Sequence, residues 1–91
     1  MPVTLLFVGG EAAPELRGFE VLQAAGRADA LRLLETRRVD VILAQVRLAD
    51  GSGLELVREC AERYPDARRI LFSAYEDLPQ IVAAQIGRAH V

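Results

Sequence analysis

The residues of this chain that could do chemistry sit at the ends of short apolar runs. Gly9-Gly10 closes the run Val3–Val8 and is followed by Glu11, Gln45 lies near the end of the run 39–46, and Ser73 ends the run Arg69–Ser73. A glycine pair after a strand lets backbone N–H groups approach an anion, but the P-loop and G-x-G-x-x-G patterns that make that reading specific are absent. Gln45 offers a neutral amide and Ser73 a hydroxyl, and no general base stands beside either in sequence. Cys60 is the only cysteine, so no internal disulfide can form, and no Cys/His cluster has metal-ligand spacing. His90 stands alone and is expected to be exposed. These residues predict no catalytic site, no metal and no cofactor.

The elements that position these residues belong to one small domain spanning residues 1–91, of which 52% are hydrophobic and 26% charged, a balance that predicts folding rather than disorder. All eleven basic residues are Arg, and the net charge is −2. Arg37-Arg38 and Arg68-Arg69 fall where helices give way to strands and read as loop charges, since a nucleic-acid contact would bring a larger basic patch. No signal peptide and no apolar run of membrane-spanning length is present, so a cytoplasmic location without nucleic-acid or membrane contact is expected.

Apolar periodicity then gives the order of elements. Val3–Val8 reads as a buried strand, and Glu11–Arg17 leaves room for two helical turns at most. Phe19–Gln23 is a second strand, with Phe19 and Val21 on one face and Glu20 and Leu22 on the other. A helix over 27–37 carries Ala30, Leu31 and Leu34 on one side. The run 39–46 is the strongest strand; Val41 and Leu43 on one face, Ile42 and Ala44 on the other, predict a central strand covered on both sides. Ser52 and Glu55 have capping-box spacing after the turn Asp50–Gly53, and open a helix whose stripe reads Leu54, Val57, Ala61, Tyr64 and which stops at Pro65. Arg69–Ser73 is a fourth strand. Ile81, Val82, Gln85 and Ile86 mark a last helix ending at Gly87. Strands alternating with short helices predict an α/β doubly wound parallel sheet of four strands.

In the order and spacing of Thr4–Val8, Gly18–Val21, Ala24–Gly26, Val39–Leu43, Asp50–Leu56 and Ile70–Asp77, the sequence resembles the receiver domain of two-component response regulators, which has a flavodoxin-like fold. The resemblance implies a phosphorylation pocket built from an acidic pair after the first strand, an acceptor aspartate at the end of the third, a hydroxyl after the fourth and a Lys after the fifth. The acidic pair holds Mg²⁺, which prefers hard oxygen ligands, and the Lys neutralises phosphoryl charge. Here the acidic pair falls on Gly9 and Gly10 and the acceptor on Gln45, only the hydroxyl survives as Ser73, and the chain has no Lys. Ser73 is expected to be a satisfied loop-end hydroxyl or to make a local turn bond, and Gln45 to bond backbone.

Against the same family the first helix is shortened, and a fifth strand and helix are missing. The resemblance places the first and fifth helices on one sheet face and the second to fourth on the other. One face is therefore expected to be bare, an apolar patch larger than a soluble monomer normally exposes. These features imply a degenerate, truncated pseudo-receiver that cannot be phosphorylated. It would act as a protein–protein interaction or dimerisation module, the regulatory part of a larger protein, joined to a second copy or a partner domain through the uncovered face. The alternative is a small-ligand sensor in which the vestigial pocket of Gly9, Gly10 and Ser73 takes an anion or a nucleotide.

Overall fold

The computed structural model describes residues 3–11, 16 and 18–86. Four parallel strands form the main sheet: β1 (Thr4–Val8), β2 (Glu20–Ala24), β3 (Val41–Gln45) and β6 (Arg68–Phe72), ordered β2-β1-β3-β6. Between them β4 (Arg47–Leu48) and β5 (Gly51–Ser52) make a small antiparallel hairpin. Helix α1 (Arg27–Thr36) links β2 to β3, and α2 (Gly53–Arg63) links the hairpin to β6. In register, Val8 lies opposite both Ala24 and Ala44, and Gln45 lies opposite Phe72. The strands therefore finish level, and Gly9, Gln45 and Ser73 emerge at the same end of the sheet. In a parallel α/β sheet that end is where ligand chemistry gathers.

The two-sided pattern of β3 is realised as expected. Ile42 and Ala44 join Leu6 and Val8 beneath Ala30 and Leu34 of α1 and Leu56 and Cys60 of α2. Val41 and Leu43 join Leu5 and Phe7 on the opposite face. Phe19 and Val21 pack with that second face and Leu22 with the first, as the alternation of β2 predicts. On α2 the expected stripe is half realised: Val57 and Tyr64 pack against the first cluster. Gly53, Leu56 and Cys60 are buried, whereas Leu54 and Ala61 are exposed. Both sets have helical spacing, and the one facing β3 is decided by the direction in which the chain leaves the hairpin.

The bare sheet face is the larger correction. Leu5, Phe7 and Leu43 are fully buried, and among the described residues the only exposed large hydrophobic side chains are Val46, Leu54 and Tyr75. After β6 a short 3-10 turn (Tyr75–Asp77) leads into α3 (Leu78–Ile81) and a π-helical turn (Val82–Ile86). Leu78 and Ile86 are buried in the second cluster, with Ile81 and Val82 packed against it and Leu16 closing it. The resemblance places the fourth helix on the same face as the two before it, but this segment folds over the other one. Burial of its four apolar side chains drives that placement, and the Arg68 guanidinium, 2.7 Å from the Gln85 carbonyl oxygen, ties it to β6. The patch on which self-association was expected is therefore covered. The short helix expected over 11–17, apart from Glu11 and the buried Leu16, lies outside the described residues, as do Gly87 and His90.

Caps fix the helices at the functional end. Ser52 begins α2 as expected, its Oγ accepting a bond of 3.1 Å from the Leu54 amide. Helix α1 begins at Gly26, which has no side chain to cap it. Asp50 does so from the hairpin: its carboxylate accepts from the Arg27 amide at 2.7 Å and the Ala28 amide at 3.0 Å. Those amides, Ala28 first, hold the Asp50 carboxyl below its ordinary range. Glu59 is likewise held low, first by the Arg63 guanidinium and then by Arg27, which pairs with it at 2.6 Å across the gap between α2 and α1. Both are depressed carboxylates. Their stabilisation is present above the ordinary carboxylate range and is lost as pH falls through their lower folded values. Thermal melts should therefore show a modest drop in midpoint as the buffer is acidified through that range. In Asp50→Asn the drop should be shallower and the midpoint at neutral pH already lower.

Candidate functional site

The strand ends form a closed arrangement of neutral groups. Gly9 continues β1 in pairing, its amide bonding the Ala24 carbonyl at 3.0 Å, but its φ of +117° turns the chain in a way that L side chains rarely adopt. The turn brings Gly9 under Gln45. A Cβ at Gly9 would stand 2.7 Å from Gln45 Oε1 and 2.9 Å from Gln45 Cβ, closer than nonbonded atoms tolerate. Gly10 is held by Gln23, whose Nε2 donates to its carbonyl at 2.8 Å. Over Gly10 lies the Tyr75 hydroxyl, close enough that a Cβ at that position would collide with it. The Tyr75 ring stacks on Phe7 (centroids 6.2 Å apart, planes 14° apart) and tilts against Phe72 at 5.7 Å.

The four residues singled out in the sequence thus lie at one end of the sheet. Gly9 and Gly10 serve a close approach by Gln45 and Tyr75. The half-buried Gln45 packs on Gly9 and makes no side-chain hydrogen bond among the described residues. Ser73 makes none either and is exposed, so of its two expected forms it takes the loop-end hydroxyl open to solvent and not the turn bond. Glu11, the nearest acidic residue in sequence, is also exposed. Among the described residues no group of three His, Cys, Asp or Glu side chains is placed to hold a metal ion. Backbone amides and a neutral amide side chain can donate hydrogen bonds to a ligand. Gly9, Gly10 and Gln45 bring no carboxylate to this end of the sheet.

The other basic feature, at the opposite end of the sheet, is structural. Arg37 pairs with Glu20 at 2.8 Å, and Arg63 with Glu59 at 3.1 Å. Arg69 donates to the Ala67 carbonyl at 2.7 Å. Arg37 and Arg63 line the groove between the C-terminal ends of α1 and α2 together with Arg38, and their ion pairs offset part of its positive charge. No helix among the described residues is long and apolar enough to cross a membrane.

Residues 11–90 match the family model for the response regulator receiver domain. The chain belongs to that family. As a receiver domain it is 40% identical over 65 residues to the DNA-binding transcriptional activator DevR/DosR of Mycobacterium tuberculosis, a match covering 70% of this chain and 29% of that protein. The chain spans well under half the length of the curated relatives it matches. Its fold is that of the signal receiver domain of an HD domain-containing protein from Pseudomonas fluorescens, with a TM-score of 0.71, 19% identity and coverage of 90% of this chain and 74% of the other. A mutant of the response regulator MaeR bound to sulfate is also similar, with a TM-score of 0.67 at 22% identity and coverage of 92% of this chain and 77% of the other.

Two functional-end residues were not found from the sequence. Tyr75 follows Ser73-Ala74 in a segment that carries the resemblance, yet nothing local marks it as a pocket residue. Its stacking partners Phe7 and Phe72 are brought to it by the pairing of β1 and β6 with β3. Asp50 read only as a turn former. The missing local cap at Gly26, directly before a predicted helix, was the available signal that an acid from elsewhere would serve.

Proposed function

We propose that this receiver domain is a pseudo-receiver that does not accept a phosphoryl group and has no enzymatic activity. In this reading it works as a protein–protein interaction module within a cytoplasmic regulatory protein. The observation that carries the reading is the triad Gly9, Gly10 and Gln45. The positions that should ligate Mg²⁺ and accept the phosphoryl group are neutral, and the space about them is filled by Gln45 and Tyr75. A Gln amide is not a phosphoryl acceptor, and without carboxylates the pocket cannot gather the cation that offsets phosphoryl charge.

With the second sheet face covered, self-association through that face is not part of this proposal. Recognition falls instead to the rim of exposed Val46, Leu54 and Tyr75 at the functional end. The relatives are named as transcriptional regulators and are much longer than this chain, which supports a regulatory role within a larger protein. Sensing of a small anion is the competing reading. It draws on the loss of negative charge at the pocket and on the sulfate bound by the MaeR mutant, but the filled space above Gly9 and Gly10 weighs against it.

The deciding experiment is a titration of isotopically labelled protein with Mg²⁺ and beryllofluoride, alongside incubation with acetyl phosphate and measurement of intact mass. No saturable shift at Gly9, Gly10, Gln45 or Ser73 and no added phosphoryl mass are expected. Saturable binding at Gln45 would overturn the proposal. Sulfate, inorganic phosphate and nucleotides should leave the melting temperature unchanged, whereas a bound ligand at 100 times its Kd would add about 2.7 kcal/mol of stability.

A further inference from the structure

Tyr75 is the one aromatic side chain among the exposed large hydrophobic groups of the described residues, at 43% exposure. It is nevertheless anchored on three sides: the ring lies parallel to Phe7, tilts on Phe72, and carries its hydroxyl against Gly10. The fit at Gly10 turns on one atom. A Cβ there would collide with the hydroxyl oxygen, whereas the next nearest atom, the ring carbon that bears the hydroxyl, would be 3.5 Å away, an ordinary contact. The glycine and the hydroxyl therefore require each other, although 65 residues separate them in sequence.

We propose that Tyr75 is a fixed plug. Its hydroxyl occupies the space over Gly10 that the second acidic side chain of a receiver would fill, and its ring pins the Tyr75–Asp77 turn to the core. The functional end is thereby held in one arrangement and presents a constant surface to a partner. This deepens the pseudo-receiver reading and rests on it. That reading says the pocket lacks phosphorylation chemistry; the plug says that the surrounding loop does not switch.

The test is a double-mutant cycle of Gly10→Ala and Tyr75→Phe, read by urea unfolding. Gly10→Ala alone should lower the folding equilibrium constant by about tenfold or more, as overpacking does. Tyr75→Phe alone should have a small effect, and the double variant should recover most of the loss, a non-additivity expected only of groups in contact. Additive effects would overturn the plug. Should Gly10→Ala fail to fold, a second measurement decides. The chain has two tyrosines and no tryptophan, so in Tyr64→Phe the tyrosine fluorescence comes from Tyr75 alone. Its anisotropy should be that of a held ring, unchanged by Mg²⁺ with beryllofluoride or by inorganic phosphate. Anisotropy matching a freely rotating tyrosine would overturn the plug. Binding of beryllofluoride to the unaltered chain would instead overturn the pseudo-receiver reading, so the two failures are distinguishable.

Discussion

Replacing Phe7 with alanine is expected to destabilise this domain by about 3–5 kcal/mol, the usual cost of emptying a buried aromatic site. Phe7 is fully buried in β1, paired in register with Gln23 on one side and Leu43 on the other. Its ring lies 5.5 Å from Phe72 and 6.2 Å from Tyr75. On its strand side the cavity cannot collapse easily, because β1 and β3 are each paired on both sides, and only Phe72 on the edge strand β6 and Tyr75 in the following turn are less restrained. A domain of this size has only about 5–15 kcal/mol of total stability, so the variant should be partly unfolded at moderate temperature. A urea melt with unchanged slope and a much lower midpoint is the expected result. Phe7→Leu should lose far less, since it keeps most of the volume. The same substitution removes the floor on which Tyr75 stacks, so the functional end should loosen with the core. A midpoint within experimental scatter of the unaltered chain would mean that the second face is not packed around Phe7 as described.

The consequence of Phe7 being shared is that core and pocket are one object on this side of the sheet. The sequence showed the core half of it. The alternation of Val41, Ile42, Leu43 and Ala44 could only suit a central strand, and pairing places each of these residues on its expected face. Helical periodicity was less decisive. The α2 segment holds two apolar stripes a fraction of a turn apart, and only its docking on β3 selects Leu56 and Cys60 over Leu54 and Ala61. What covers the second face could not be read at all. Periodicity says that Leu78, Ile81, Val82 and Ile86 need an apolar partner, but not which face of the sheet supplies it.

The candidate site divides in the same manner. The family pattern places Gly9, Gly10, Gln45 and Ser73 at the strand ends, and the register of β1, β3 and β6 brings them there. The space between them depends on side-chain direction and on a positive φ at Gly9, neither of which leaves a trace in residue spacing. Two glycines read as a deletion of chemistry. With Gln45 and Tyr75 packed on them, they also read as an accommodation of larger neighbours.

That accommodation makes restoration difficult. The triple variant Gly9→Asp, Gly10→Asp, Gln45→Asp returns the family's acids by type, yet it should be several kcal/mol less stable than the unaltered chain and should still take no phosphoryl group from acetyl phosphate. At Gly9 the φ of +117° strains any L residue, at a cost of about 1–3 kcal/mol. Shortening residue 45 removes the Oε1 contact but leaves the two Cβ atoms 2.9 Å apart in the present backbone. At Gly10 the new Cβ meets the Tyr75 hydroxyl, and relief requires the ring to leave Phe7. Three carboxylates crowded at one strand end also repel one another until a cation binds, which raises their pKa values and weakens the Mg²⁺ site they were meant to form. Adding Tyr75→Phe relieves only the Gly10 collision and keeps the ring on Phe7 and Phe72, so that quadruple variant should regain part of the stability without gaining phosphorylation. Intact mass after acetyl phosphate treatment and a urea melt measure both outcomes. Stability equal to the unaltered chain, together with a stoichiometric phosphoryl adduct, would show that the backbone at Gly9 adjusts freely and that the charges at three positions alone separate this domain from a working receiver.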